Sequence, residues 1–493
     1  MNINYSILHI SDLHRINTDN IDCLISSFEI EKSKYESLGI PKVRLIVVSG
    51  DIVNGSNNTD SKIAKEEIKK QYIAADLFLK KLCSLFIGSS IEDRMHVIIV
   101  PGNHDMSRYM SHLCMEPIER DDIEFLTNAL WRDNSDIRWS WKNLQFYHIA
   151  REEIYNNRFC DFIDFYNNFY EGHRMYPLEH NKQSVLIDIP DLNISLACFN
   201  SCYRLDHLRH SGYISPQSLS VLTKSLLEAT KKGRMIFGVW HHHTNGRPNE
   251  NNYLDDSILD NMVQNGILIA LHGHQHINGI VHEYKDVLSD LKLSMISAGT
   301  LYGDASDLPI SGKRQYNLIA INMNDDYSDV TLFSREDNTS LNEIPSWDIG
   351  NIGKSKRHSY TFKINLPHVE NISEEQELQN RINNINIQAE RTGDFNLAVH
   401  QLAELGLEKP IVRKFVLSLL SRANNFKCII ELFSTPKNLS EAITVINCCL
   451  QTGDFKSLTN ILDSEFVRSS TDSSLQTIIE EAKFQLKLKK HQL

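Results

Sequence analysis

The segment with the clearest chemical content is Asn103-His104-Asp105, which follows an apolar run and a Pro-Gly turn. The run Val97-Ile98-Ile99-Val100 is typical of a strand buried on both faces, and the turn ends it abruptly. An amide, an imidazole and a carboxylate at a strand end offer an oxygen ligand, an acid or base, and a group that orients it. The tripeptide alone also fits a polar turn, so its interpretation depends on the rest of the chain.

Polar residues follow four other predicted strands in the same way. They are Asp12 and His14 after residues 1–10, Asp51 after residues 43–48, His241, His242 and His243 after residues 235–240, and His274 and His276 after residues 267–271. Strands and helices alternate over the first hundred residues, which predicts an α/β layer architecture. Since strand ends in such a sheet meet at one edge, we expect these side chains to lie close together.

As candidate ligands the strand ends offer two carboxylates, one amide and four imidazoles, with no serine or cysteine nucleophile among them: Asp12, His14, Asp51, Asn103, His241 or His242, His274 and His276. A mixed nitrogen and oxygen set without thiolates suits borderline divalent metals, namely Mn, Fe, Zn, Co or Ni. These ligands exceed what one ion uses, and two ions about 3.5–4 Å apart that share a carboxylate are the natural arrangement. The sequence therefore predicts two divalent ions, with Mn as the first choice.

In this order, the motifs resemble those of the calcineurin-like metallophosphoesterases. They are Asp12-Leu13-His14, Gly50-Asp51, Gly102-Asn103-His104-Asp105, a strand-terminal histidine, and Gly273-His274-Gln275-His276. The resemblance covers about residues 5–335. It implies a two-sheet α/β/β/α sandwich with a dinuclear centre between the sheets, and hydrolysis of a phosphoester by a metal-bound hydroxide.

The resemblance also implies which side chains hold each ion. One ion would take Asp12, His14 and His276, the other would take Asn103, His274 and the strand-terminal histidine, and Asp51 would bridge the two.

Two catalytic roles and one ambiguity complete the predicted site. His104 would stabilise the transition state or protonate the leaving group, and Asp105 would fix its tautomer. The family pattern follows the strand-terminal ligand with another histidine and often a proline, whereas this chain has three consecutive histidines. We predict His241 as the ligand, with His242 as the alternative.

The length, net charge and composition of the chain limit the class of protein to which it can belong. A chain of 493 residues exceeds the usual size of one core, so we expect two domains or one domain with a large insertion. The formal net charge of −12 argues against a globally basic nucleic-acid binder. Nine scattered cysteines without a CxxC motif indicate reduced thiols and a cytoplasmic location, and no apolar run is long enough to predict a membrane span. The Asn-, Ile-, Lys- and Ser-rich composition suggests a prokaryotic source.

We predict a phosphoesterase domain over residues 1–366, a linker over 367–376 and a helical domain over 377–493. Residues 106–176 are predicted as a helical, aromatic-rich insertion, which either caps the strand ends or forms an ordinary helical layer. Its aromatic residues are Trp131, Trp139, Trp141, Phe146 and Tyr147, followed by Phe162, Phe165, Tyr166, Phe169 and Tyr170 at helical spacing.

The C-terminal region contains a weak repeat. Phe395, Phe426 and Phe455 each follow a short polar segment, such as Gly393-Asp394 or Gly453-Asp454, and are separated by 31 and 29 residues. That period resembles tetratricopeptide-like helix hairpins, whereas an irregular helical bundle is the alternative. Helix-hairpin repeats present surfaces for protein segments, so this domain is predicted to bind a protein partner or to self-associate.

Three functions fit these observations. The first is a metal-dependent phosphodiesterase or phosphatase acting on a small phosphoester. The second is a DNA or RNA nuclease of the same superfamily that works with a partner protein, although the sequence contains no clear basic stripe with interleaved aromatics. The third is a non-catalytic adaptor, which the complete ligand set disfavours.

Overall fold

A computed structural model describes residues 3–18, 20–58, 60–119, 122–130, 135–179, 182–244, 252–255, 257–285, 292–301, 313–339, 344–353, 355–366, 378, 381–382, 385–386, 388–389, 393–470 and 472–492. The predicted linker, residues 367–376, lies outside the described residues, as does Trp131. The chain divides into two compact units, Met1–Gln376 and Glu377–Leu493.

Sixteen strands occur among the described residues of the first unit. In chain order they are β1 (Ile3–Ile10), β2 (Val43–Ser49), β3 (Val97–Val100), β4 (Met115–Pro117), β5 (Ile137–Ser140), β6 (Gln145–Ile149), β7 (Ser184–Ile189), β8 (Ile194–Phe199), β9 (Met235–Val239), β10 (Ile267–His272), β11 (Gly279–Lys285), β12 (Lys292–Ser297), β13 (Gln315–Met323), β14 (Tyr327–Asp337), β15 (Trp347–Ile349) and β16 (Ser359–Asn365).

Nine α-helices connect these strands in the part of the first unit that the structure describes. They are α1 (Ile21–Lys32), α2 (Ser61–Phe86), α3 (Ile91–Arg94), α4 (Arg108–Leu113), α5 (Ile123–Leu130), α6 (Glu152–Asn156), α7 (Cys160–Phe169), α8 (Pro216–Lys231) and α9 (Ser257–Gln264). Short 3-10 helices also form at Asn103–Asp105 and Pro190–Leu192.

Two large sheets form the first unit. One has seven strands in the order β15-β14-β13-β1-β2-β3, with β16 also paired to β14, and the other has six in the order β11-β12-β10-β9-β8-β7. Strands β1, β2 and β3 run parallel, as do β8, β9, β10 and β12. The carboxyl ends of both parallel groups carry the motifs singled out in the sequence, which places those motifs on the connections that follow the strands.

The two sheets pack face to face. Apolar side chains of β1 and β2, such as Ile7 and Val47, share one buried cluster with Phe237 and Leu271 of the second sheet. A separate cluster packs α1, α2 and α7 on the outer face of the first sheet, and another packs α8 and α9 on the outer face of the second. The unit is therefore the predicted α/β/β/α sandwich.

The insertion differs in part from the prediction. Its first half is not purely helical, because Trp139, Phe146 and Tyr147 lie on the strands of a small sheet with the order β4-β6-β5. Trp139 and Trp141 are two residues apart, a spacing that suits a strand better than a helix. The second half is the helix α7, whose aromatic face is buried against α2, as in an ordinary helical layer. The cap remains a prediction for the small sheet.

The second unit is entirely helical over its described residues. From Phe395 onward its helices are α10 (Phe395–Glu404), α11 (Pro410–Arg422), α12 (Phe426–Leu432), α13 (Leu439–Thr452), α14 (Phe455–Leu462), α15 (Glu465–Ser469) and α16 (Ser473–Gln492).

The weak repeat marks helix starts in this unit. Each repeat phenylalanine is the first residue of its helix, and the Asp or Asn before it caps the helix by accepting a backbone N–H bond. The repeated sequence signal is thus an N-cap followed by an aromatic residue that packs on the unit's own core. Across the part of the chain that the structure describes, no helix has the length and apolarity needed to cross a bilayer.

Candidate metal centre

The motif residues after the strands adopt an unusual backbone conformation. Asp12, His14, Asp51, His274 and His276 all have positive φ angles, between 42° and 76°. They make up half of the ten non-glycine residues with positive φ that the structure describes. Such angles cost energy for residues with a Cβ atom and cluster at functional sites, where the surrounding fold holds them. The backbone therefore turns sharply at the strand ends and directs these side chains inward.

A first group of ligand atoms forms between β1 and β10. The Nε2 atoms of His14 and His276 lie 3.2 Å apart, and Nε2 of His276 lies 3.2 Å from Oδ1 of Asp12. The ligand atoms of these three residues all lie within 4.8 Å of one another. Asp12 is fully buried, and the backbone N–H of His274 donates to its other oxygen at 3.1 Å.

A second group forms around the amide of Asn103. Its Oδ1 atom lies 2.9 Å from Nε2 of His241 and 2.9 Å from Nδ1 of His274. The two imidazole nitrogens are 3.3 Å apart. The Nδ1 atom of His241 faces the backbone carbonyl of Ser49 at 2.8 Å, so this nitrogen donates and Nε2 is left facing the group.

Asp51 lies between the two groups. Its Oδ2 atom is 3.3 Å from Nε2 of His241 and 3.9 Å from Nε2 of His14, which belong to different groups. The same oxygen is 4.0 Å from Nε2 of His104, whereas Oδ1 accepts the backbone N–H of His104 at 2.8 Å. This is the position that a bridging carboxylate requires.

The consecutive histidines separate into distinct environments. His241 belongs to the second group, whereas Nδ1 of His242 lies 2.9 Å from the hydroxyl of Ser201, and the His242 ring packs 4.6 Å from that of His274. His243 packs edge-on against His272. Of the two alternatives left by the sequence, only His241 presents a nitrogen to Asn103 and Asp51.

The predicted relation between His104 and Asp105 is wrong. The imidazole of His104 is oriented by the backbone carbonyl of Asn54, which accepts from Nδ1 at 2.8 Å. Asp105 instead accepts the backbone N–H groups of Gly102 at 2.8 Å and Ile52 at 3.2 Å. The strand-tip geometry turns the carboxylate back toward the loop backbone, so Asp105 ties together the connections after β2 and β3. The hydroxyl of Tyr72 also donates to Oδ1 of Asp105, at 3.0 Å.

Glycines in the motifs allow the close packing of these loops. A Cβ atom on Gly102 would lie 2.1 Å from both the backbone nitrogen and Oδ1 of Asp51. A Cβ atom on Gly273 would lie 1.8 Å from the hydroxyl of Ser11, and one on Gly50, whose φ is +99°, would lie 2.4 Å from the His241 ring. No other residue type fits at these positions without moving a candidate ligand.

Burial and mutual charge shift the acidities of the cluster. Burial lowers the pKa of the His241 imidazole, but the Asp51 carboxylate outweighs it and raises that pKa to about 9. Burial lowers the pKa of His274 to about 4, reinforced by His241. Burial also raises the pKa of Asp105 to about 7, reinforced by the Asp51 charge. Asp51 stays ionised because its histidine neighbours overcome the effect of burial on its pKa.

The arrangement fits divalent ions on two observations. Oδ1 of Asp12 is buried and, although Nε2 of His276 lies 3.2 Å away, it accepts no hydrogen bond of good geometry from the described residues, which is costly for a carboxylate oxygen. Imidazole nitrogens face one another at 3.2 and 3.3 Å, a contact that a cation between such groups would stabilise. All donors are nitrogen and oxygen atoms, as predicted from the sequence.

Several contributors to the site have no signature in the sequence. The carbonyls of Asn54 and Ser49 orient His104 and His241, and backbone carbonyls carry no residue-type signal. Ser201 accepts the backbone N–H groups of His241 and His242, each at 3.2 Å. Only its position at the end of a predicted strand hinted at this role. Tyr72 lies on a helix, where an aromatic residue normally indicates core packing.

Three solved structures are similar to the chain at low sequence identity. They are a dimetal phosphatase from Danio rerio (12% identity, covering 66% of this chain and 95% of that one, TM-score 0.34), a Vps29 variant from Entamoeba histolytica (9%, 73% and 98%, TM-score 0.24), and the calcineurin-like phosphoesterase YfkN from Bacillus subtilis (12%, 78% and 98%, TM-score 0.25). No curated protein matches the chain.

A family model described as calcineurin-like phosphoesterase matches residues 5–278, which is more than half of the chain. The match includes every motif residue of the candidate centre, from Asp12 to His276. The chain therefore belongs to the calcineurin-like phosphoesterase family.

Proposed function

We propose that this protein is a metal-dependent phosphoester hydrolase with a dinuclear centre. The observation that carries the proposal is the position of Asp51, whose carboxylate faces His14 of one ligand group and His241 of the other. The family membership supports the same reaction class.

We assign the ligands from the two groups described above. One ion would be held by Asp12, His14 and His276, and the other by Asn103, His241 and His274. Asp51 would bind both ions. His242 is left out of this set because its contacts are with Ser201 and the ring of His274, whereas His241 faces Asn103 and Asp51. Mn is the metal we favour, since the donors are imidazoles, carboxylates and one amide.

Bound ions would neutralise the charge of the phosphoryl group and make a water molecule acidic enough to act as the nucleophile. His104 is the residue of the site that combines contact with Asp51 and exposure, with 36% of its side chain accessible. The Asn54 carbonyl holds its Nδ1–H, so Nε2 is directed to where a substrate enters. In its imidazolium form His104 would protonate the leaving oxygen or stabilise charge on the transferred group.

The first test is hydrolysis of bis(p-nitrophenyl) phosphate by protein titrated with Mn. We expect Asp51→Asn to abolish activity and to weaken Mn binding measured by calorimetry, because it removes the shared charge. His104→Ala should keep Mn binding and lower the rate by about 10²–10⁴, the usual contribution of a general acid.

Asp76→Asn is the matched control, because it removes one carboxylate charge in the same unit, on helix α2, where Asp76 pairs with Lys80. It should leave hydrolysis and Mn binding unchanged. Wild-type protein that binds two Mn ions and hydrolyses no phosphoester would favour the adaptor alternative. Full activity in both Asp51→Asn and His104→Ala would contradict the mechanism.

A further inference from the structure

One loop connects the metal centre to the start of the insertion. This loop consists of residues 203–213, after β8. Near its end lies Gly212, where a Cβ atom would lie 2.5 Å from the His242 ring. In the middle of the loop, Nδ1 of His207 lies 2.7 Å from the hydroxyl of Ser111 on α4, and its ring stacks on His112 at 3.8 Å. The loop and α4 therefore border the same side of the centre.

Helix α4 also reaches the side on which His104 is exposed. It begins at Arg108, four residues after His104. The guanidinium of Arg108 contacts the side chain of Asn57 at 2.6 Å, and the same connection supplies the Asn54 carbonyl that holds His104. Arg108 is exposed, and its guanidinium contacts the same connection that holds the residue we assign to the leaving group.

The cations of this region outnumber the carboxylate that faces them. Asp206 is buried and saturated: it accepts from Arg138 at 2.6 Å, from Tyr155 and from the backbone N–H groups of residues 208 and 209. Arg158 is buried against backbone carbonyls rather than a carboxylate.

Two arginines are left for a ligand. Among the described residues, Arg108 and Arg209 form no salt bridge, and neither has more than partial burial. We call Arg108, His112, His207, Arg209 and His210 the basic rim. The positive charge of the basic rim comes from its two arginines, and among the described residues neither is paired with a carboxylate. On a chain with a net charge of −12, this local positive charge favours an anionic group.

We propose that the basic rim binds a second phosphate carried by the leaving group of the substrate. The inference rests on the proposed function and names its substrate class: a phosphodiester or phosphoanhydride whose leaving group is itself phosphorylated. Water adds to phosphorus and the bond from phosphorus to the leaving oxygen breaks. That oxygen takes the proton held by His104, and the proton lost by the attacking water passes to solvent, from which His104 is protonated again. The departing group then stays next to Arg108, which follows His104 along the chain.

Two classes of substrate have a leaving group that carries a phosphate: an oligonucleotide and a nucleoside polyphosphate. The first would use the basic rim for a neighbouring backbone phosphate, and the second for the terminal phosphates. The shared requirement separates both from simple esters such as bis(p-nitrophenyl) phosphate, whose leaving group has no phosphate.

The test compares kcat/KM of Mn-loaded full-length protein on three substrates: bis(p-nitrophenyl) phosphate, ATP and a ten-residue oligothymidylate. We expect one of the two phosphorylated substrates to exceed bis(p-nitrophenyl) phosphate by at least tenfold. In Arg108→Gln/Arg209→Gln that ratio should fall at least about tenfold, mainly through KM, because the variant removes the charged hydrogen-bond donors to the second phosphate. Which substrate is preferred identifies the source.

A matched control is Lys224→Gln, which removes an exposed cation from α8 on the outer face of the second sheet. It should leave the ratio unchanged. A binding measurement separates the basic rim from catalysis: anisotropy of fluorescein-labelled oligothymidylate and of a fluorescent ATP analogue with Asp51→Asn protein should show weaker binding when the two arginines are replaced.

The possible outcomes divide clearly between the two proposals. Wild-type protein that hydrolyses none of the three substrates contradicts the proposed function. Protein that hydrolyses bis(p-nitrophenyl) phosphate at least as well as both phosphorylated substrates overturns the assignment of the basic rim. A double variant that loses activity equally on all substrates also overturns it, because a recognition role must change the ratio.

Discussion

The metal centre and the basic rim are built on opposite principles. In the metal centre, imidazole nitrogens face each other, a buried carboxylate oxygen accepts no hydrogen bond of good geometry from the described residues, and the backbone adopts positive φ angles. Around the basic rim, the buried charges have internal partners: Asp206 is fully bonded, and Arg138 pairs with it inside the protein. Among the described residues there, the cations left over lie toward the surface.

The difference shows what each region needs from outside. The metal centre contains groups that repel or leave one another unsatisfied, so a bound cation would remove a cost that the chain itself does not remove. The buried charges around the basic rim already have partners inside the protein, so a ligand would only add contacts to it. Perturbing the metal centre should therefore act mainly on ion binding and rate, whereas perturbing the support of the basic rim should act mainly on stability.

The largest effect is expected at Gly102. In Gly102→Ala the added Cβ meets the backbone of Asp51, so the shared carboxylate must move. A displacement of about 1 Å costs about 10²-fold in rate, and we expect at least that loss for bis(p-nitrophenyl) phosphate, together with weaker Mn binding by calorimetry.

Gly39→Ala is the control for this change. Gly39 has a φ of +70°, and nothing lies within 4 Å of the point that its Cβ would occupy, so the substitution strains only the local backbone. It should cost about 1–2 kcal/mol of stability and leave the rate unchanged. Equal rates in the two variants would mean that the position of Asp51 is not critical.

The next effect is expected at the support of the basic rim. Asp206→Ala leaves the buried guanidinium of Arg138 without its carboxylate and should lower the free energy of unfolding by about 3–5 kcal/mol, measured with urea. Arg138→Met/Asp206→Asn should recover part of that loss, because it removes both charges and the asparagine oxygen can still accept the backbone N–H groups of residues 208 and 209. A loss below about 1 kcal/mol in Asp206→Ala would show that the network is not a structural support.

The smallest effect is a pH dependence at His207. Burial lowers the pKa of this imidazole to about 4, whereas the unfolded chain titrates near its usual value of 6.5. The unfolded state thus takes up the proton first, and stability is lost as the pH falls from 6.5 to 4. The ring is partly exposed, so we expect a contribution of about 1 kcal/mol rather than the full shift.

His207→Gln should reduce this acid-dependent loss, as measured by urea unfolding at about pH 7 and about pH 4.5, on either side of the unfolded-state titration. Glutamine keeps a polar group for the Ser111 hydroxyl, which makes the comparison one of charge. An identical pH dependence in the variant and the wild type would mean that His207 is protonated equally in the folded and unfolded states.

Much of the architecture was predictable because local patterns decide it. Apolar runs such as residues 43–48 and 97–100 became strands, and the motifs after them became the loops of the candidate centre. The prediction failed for Trp139 and Phe146, where aromatic composition suggested a helix and the chain forms a hairpin. Aromatic residues suit both structures, and pairing with another strand decides between them.

The sequence by itself determined the ligand types, the order of the motifs and the separation of an all-helical unit, since these depend on residue identity and spacing. Only the tertiary structure placed His241 rather than His242 beside Asn103, assigned the orientation of His104 to the Asn54 carbonyl, and placed Asp105 between two loops whose backbone N–H groups it accepts. The physical reason is the same in each case. Neighbouring residues on a strand end point in different directions, and backbone groups from remote segments become partners only when the sheets are packed.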